Sequence, residues 1–180
     1  MQILHFVKNE KFFGFSLCLC VSVVNDFLII FKYLQMTITP QTIAEAASRA
    51  MHERDHVAHH FGIEIKAIKP GYAKLSMTVK QTMVNGHDIC HGGMIFTLAD
   101  TAFAHACNSY NFNTVAAGCS IEYLAPAKLH DALTATAQEQ TLFGRTGIYD
   151  VVVTDQENKI IAVFRGKSAR IKGELVPGLT

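Results

Sequence analysis

Residues 92–109, GGMIFTLADTAFAHACNS, carry apolar side chains at helical spacing, while most of the chain after them alternates with the period of a strand. Ile95, Phe96, Ala99, Ala102, Phe103, Ala106 and Cys107 fall on one broad apolar side of this helix. Thr97, Thr101, His105 and Asn108 fall opposite, and Asp100 sits at the edge of that polar stripe beside Cys107 and Phe96. One long apolar helix among alternating strands has few ways to bury both. The arrangement expected is α+β, an antiparallel sheet with a single long helix to wrap around.

The alternating segments are about 63–69, 72–80, 114–125, 131–143, 146–155 and 159–172. Pro70-Gly71, Pro126-Ala127, Gly144-Arg145 and Gln156-Glu157-Asn158 supply turns between them. An earlier helical stretch runs from Pro40 to about Asp55, with Thr39 as its N-cap and Pro40 at the first helical position. Residues 81–91 (QTMVNGHDICH) form a loop that leads into the long helix.

Composition narrows the function. Hydrophobic residues are 49% of the 180 and charged ones 17%, which excludes a disordered chain. Sixteen Lys and Arg against 15 Asp and Glu exclude a nucleic-acid binder held by bulk charge, and no nucleic-acid partner is expected. Residues 1–35 are set apart by long apolar runs and open three readings. A signal peptide lacks a small-x-small cleavage site before Asn25-Asp26, and a membrane helix over 12–34 would bury Asp26 at a cost of about 2.5–3.5 kcal/mol. The reading adopted takes 1–35 as a non-domain extension, a start-site artefact or an anchor, and 36–180 as one domain. A membrane partner is expected only if the extension is real. Cys90, Cys107 and Cys119 are an odd set within 36–180 and fit no disulfide framework, so reduced thiols and a cytoplasmic location are expected.

Three segments taken together, Asn85-Gly86-His87, Cys90-His91-Gly92-Gly93-Met94-Ile95-Phe96 and Leu98-Ala99-Asp100-Thr101-Ala102-Phe103-Ala104, resemble the signature of hotdog-fold acyl-CoA thioesterases of the PaaI type. Tyr123-Leu124-Ala125-Pro126, Leu133-Thr134-Ala135-Thr136-Ala137, Thr146-Gly147 and Phe164-Arg165-Gly166-Lys167-Ser168 agree with it. The resemblance runs from about residue 45 to 173 and implies hydrolysis of aryl- or hydroxyphenylacetyl-CoA to free acid and CoA. CoA belongs to the substrate, so no cofactor is expected. Another hotdog branch carries a Thr one turn beyond the acid. Position 104 here is Ala, which favours the Asp-bearing group.

Thioester hydrolysis needs an activated water or nucleophile, and donors aimed at the oxygen that turns negative. Gly92 and Gly93 open the long helix, where free N–H groups favour negative charge, although a tight loop-to-helix turn alone would also explain them. By resemblance the Gly92 amide polarises the thioester carbonyl and Asp100 is general base or nucleophile, whereas the helical wheel alone reads Asp100 as a solvated acid. Asn85 is expected to hydrogen-bond the water or thioester, or simply to make an Asn-Gly turn. His91 is expected to orient the loop beside the substrate. Arg165, Lys167, Arg170 and Lys172 either meet CoA phosphates or protect a sheet edge. His87, Cys90 and His91, and likewise His52, His56 and His60, have metal-like spacings but read as a satisfied loop and a solvated helix face, and no metal is expected.

Gly92 and Asp100 are eight residues apart, about 12 Å along a helix, yet both must reach one carbon. One helix cannot supply both. The expectation is a homodimer with two composite sites, further paired as a dimer of dimers. The rival readings are a non-catalytic acyl-CoA-sensing hotdog module and an acyl-thioester dehydratase. The second resembles His-Phe-Pro motifs rather than His-Gly-Gly, and residues 36–61 show no helix-turn-helix for the first.

Overall fold

The computed structural model describes residues 38–179, and the expectations for residues 1–35 lie outside that range. Helix α1 spans Pro40–His52. Thr39 caps it as expected, its side chain accepting from the Thr42 N–H while Thr42 returns a bond to the Thr39 N–H. The helix does not continue to Asp55. Asp55 instead caps a second short helix, α2 (His56–Phe61), by accepting from the Ala58 N–H. His52 and His56 therefore sit on different helices, and the i, i+4, i+8 histidine spacing describes no continuous face.

Strands β1 (Glu64–Lys69), β2 (Tyr72–Thr78), β3 (Phe112–Tyr123), β4 (Ala132–Phe143), β5 (Thr146–Thr154) and β6 (Ile160–Glu174) form one antiparallel sheet. Their spatial order is β1-β2-β4-β5-β6-β3. Helix α3 (Gly92–Asn108) lies in its concavity, which is the hotdog arrangement. Period-2 alternation places Leu133, Ala135 and Ala137 of β4, and Tyr149, Val151 and Val153 of β5, on the buried face. Small residues are buried on both sides where helix meets sheet: Ala99, Ala102 and Ala106 on α3, Ala73 and Ala135 on β2 and β4. Phe103 fills the space left over, edge-on to Tyr149 at 5.5 Å. Gly166 lies so close beneath its ring that a Cβ there would stand 2.8 Å away.

The two sheet edges differ. β1 carries Glu64, Lys66 and Lys69 and is partly covered by α1. β3 is a bare edge: Val115, Ala116, Ala117, Gly118, Cys119 and Ser120 are all exposed, with no charge or proline among them.

The polar stripe of α3 faces inward, contrary to the wheel. Thr101, His105 and Asn108 are all buried. Thr97 and Thr101 return their hydroxyl protons to carbonyls one turn back, and Asn108 does the same with its amide. His105 Nδ1 meets Ser48 Oγ of α1 at 2.7 Å. Burial holds His105 down to about 4, so it is neutral in the fold.

Candidate active site

The loop ahead of α3 is tied down by its backbone. The Cys90 N–H donates to Ala127 O and the His91 N–H to Met83 O, both at 2.8 Å. Asn85 Oδ1 accepts from the His87 N–H at 2.9 Å, so the Asn-Gly turn exists. No partner among the described residues takes the Asn85 side-chain N–H groups. His91 is the N-cap of α3, and its Nδ1 accepts from the Gly93 N–H at 2.9 Å. That bond caps the helix and occupies the Gly93 donor. The neighbouring Gly92 N–H has no partner among the described residues, and it is the amide left to meet a ligand.

Tyr123, at the end of β3, stands over this helix start. Its hydroxyl donates to Gly92 O at 2.9 Å, and a Cβ on Gly92 would lie 3.0 Å from its ring. Asn85, Ile89, Cys90, Gly92, Ile95 and Tyr123, with Leu124 to Pro126, line a cleft of about 510 Å³. This is within the size range of small-ligand sites. A larger groove of about 600 Å³ lies at the far end of β3, lined by Phe112, Arg145, Arg170 and Lys172. It holds none of the expected catalytic groups.

Asp100 is half-buried, eight residues along α3. Desolvation holds its carboxyl above the usual carboxylate value. Its Oδ1 lies 4.0 Å from Cys119 Sγ on the bare edge strand. Cys107 adjoins it from within, its thiol pushed up to about 12 chiefly by burial. Asp100 is thus neither the solvated acid of the wheel nor an ion-paired one. It is a carboxylate with ready proton affinity beside an uncovered surface. Gly92, Phe96 and Asp100 share the incompletely buried stripe of α3 that borders β3.

Arg165 and Lys167 lie elsewhere in the subunit. Gly166 faces Phe103, so its two neighbours project from the opposite side of the sheet. Arg165 is spent on a two-pronged ion pair with Asp150, at 2.6 and 2.7 Å. Lys167 is exposed and has no partner among the described residues. Within one subunit, then, Gly92, Gly93, His91 and Asn85 come together with Tyr123. Asp100 stands apart along the same stripe, and the two basic residues stand behind the sheet. The sequence offered Tyr123 only as part of a matching segment, since its bond to Gly92 spans 31 residues.

A six-stranded antiparallel sheet wrapped around one long helix, with a cleft at the helix start, defines the hotdog fold. The chain belongs to the thioesterase superfamily, whose family model matches residues 87–162. It is 48% identical over 128 residues to the acyl-coenzyme A thioesterase PaaI of Escherichia coli, covering 71% of this chain and 91% of that protein. The solved structure of PaaI, from the phenylacetic acid degradation operon of E. coli, superposes with a TM-score of 0.75 at 46% identity, over 76% of this chain and 99% of that one. A protein of Streptococcus pneumoniae described as a hypothetical thioesterase, solved with coenzyme A, is 27% identical, with a TM-score of 0.59 over 62% of this chain and 87% of its own. Among the described residues no helix is long and apolar enough to cross a membrane.

Proposed function

We propose that this chain hydrolyses acyl-CoA thioesters, with aryl- and hydroxyphenylacetyl-CoA as its substrate class, in composite sites of a two-fold dimer. The observation that carries the reading is the open stripe of α3, which presents the Gly92 amide and the desolvated Asp100 carboxylate beside an undefended sheet edge.

A second copy satisfies both unfinished features at once. Gly92 is in contact with Tyr123 and Asp100 with Cys119. Eight helical residues rise about 12 Å, and the four strand residues from Cys119 to Tyr123 rise about 13 Å. Helix and edge strand therefore march in step. A two-fold axis near Phe96 and Ile121 then sets Asp100 and Cys119 against the partner's Gly92 and Tyr123. The same operation pairs the two β3 edges and removes their bare backbone groups from water.

The chemistry follows from these groups. The Gly92 N–H, at the positive end of α3, receives the carbonyl oxygen as it becomes an oxyanion. Ionised Asp100 takes a proton from the attacking water or attacks the carbonyl itself, and its raised proton affinity suits the first role. The CoA sulfur needs little help to leave, because thiols ionise near pH 8.5. The free N–H groups of Asn85 are placed to hold the water or the thioester. The mainly apolar lining of the cleft, Ile89, Ile95, Leu124 and Pro126 with the Tyr123 ring, suits an aryl group. The names of the E. coli relatives, an acyl-CoA thioesterase from a phenylacetic acid degradation operon, support the substrate class. Pairing of dimers into a tetramer belongs to the same proposal.

Thiol release from a panel of acyl-CoAs tests it. Turnover is expected to be highest with phenylacetyl- or hydroxyphenylacetyl-CoA. Binding without thiol release would identify a sensing module and refute the enzyme reading.

A further inference from the structure

The peptide unit joining Gly92 to Gly93 is held at both ends. Its carbonyl accepts from the Tyr123 hydroxyl at 2.9 Å, and its N–H donates to His91 Nδ1 at 2.9 Å. Holding this peptide plane from two sides restrains the unit next to the 91–92 peptide, which carries the Gly92 N–H, with only φ and ψ of Gly92 between the two. That N–H is the donor the oxyanion needs, and catalysis by such donors depends on their being aimed in advance. His91 grips the peptide from the loop and Tyr123 from the sheet edge, so the helix start cannot rock without breaking a bond to one or the other.

Tyr123 has a second exposure to the reaction. Its ring closes on Gly92 so tightly that a Cβ there would stand 3.0 Å from it, and it lines the cleft together with Ile89, Ile95, Leu124 and Pro126. Half of the residue is exposed in the single chain, and it contributes to the cleft wall. Burial of the rest pushes the phenol above its usual value, which keeps the hydroxyl protonated and donating through neutral pH.

We infer that Tyr123 is both a positioning residue for the Gly92 oxyanion donor and the residue that selects aromatic over aliphatic acyl groups. The inference rests on the thioesterase reading above. Its hydroxyl acts through Gly92 on the rate of the chemical step. Its ring acts on the acyl group directly, by stacking.

Two variants separate these roles. Tyr123→Phe keeps the ring and removes the bond. It is expected to lower kcat about 3- to 10-fold, the usual worth of one hydrogen bond, with KM within about twofold. Its preference for phenylacetyl-CoA over hexanoyl-CoA should stay unchanged. Tyr123→Leu removes the ring and is expected to lower that preference, read as the ratio of kcat/KM values, by roughly 3- to 10-fold. Loss of fold would change both substrates alike, so the ratio reports only on the ring. Unchanged kcat in Tyr123→Phe overturns the positioning role, and an unchanged ratio in Tyr123→Leu overturns the selective one. A wild-type protein that releases no thiol from either substrate overturns the parent reading and this inference with it.

Discussion

The proposed composite site makes a numerical prediction about mixed dimers. Asp100→Asn removes the base, and Gly92→Pro removes the amide proton at a helix position where proline is otherwise tolerated. Each variant alone is expected to lose at least about 100-fold in kcat, the cost of losing a general base or one oxyanion donor. In a mixed dimer, the site built from the first variant's Gly92 and the second variant's Asp100 is intact, and the other site lacks both groups. Random reassociation of equal amounts makes half the dimers mixed, each with one working site of two. Activity should therefore return to about a quarter of wild type, from two parents that each show about 1% or less. Because any side chain at position 92 meets the Tyr123 ring at 3.0 Å, Gly92→Ala serves as the control for that crowding, since it keeps the N–H. Co-unfolding and refolding, followed by thiol release and native mass measurement, supplies both the activity and the fraction of mixed dimers. Mixed dimers present at the statistical level without recovered activity would refute the composite site.

Asp100 also predicts opposing effects on activity and stability. Its folded carboxyl titrates above its unfolded value, so the ionised form costs stability, a cost absent in acid that grows as pH rises through the folded value. Asp100→Asn should therefore be inactive yet more resistant to urea at pH 7, with the gain vanishing near pH 3, and the wild-type kcat/KM should rise with pH along a limb lying above the ordinary carboxylate value of about 3.9. Phe103→Ala, which opens a cavity between helix and sheet, should cost about 3–5 kcal/mol in chemical denaturation.

What could be read beforehand followed from periodicity. The alternation of Ala73, Leu75 and Met77, and of Tyr149, Val151 and Val153, located strands to within about two residues, since one face must be apolar wherever a sheet covers a helix. Long-range partnership was invisible. Nothing in the wheel of α3 says that α1 will lie across its polar side, so the burial of Thr101 and His105 could not be foreseen, nor the bond from His105 to Ser48. The break after His52 had a local signal, the capping acid Asp55, but the helical pattern continued through it. At the site, the family resemblance singled out Asp100, Gly92 and Asn85, while the helical wheel alone read Asp100 as a solvated acid. The grip on the Gly92–Gly93 peptide was not legible, because its two holders are a histidine in an unusual N-cap position and a tyrosine from a distant strand.

The uncharged run from Val115 to Ser120 has a bearing on how the protein behaves at low concentration. A lone subunit would hold an acid without its amide and an amide without its acid, while offering six residues of open backbone to any passing strand. Activity per molecule should then decline on dilution rather than hold constant, and separation into subunits would both silence the protein and leave it prone to clumping. Assembly, on this view, is where solubility and chemistry become the same event.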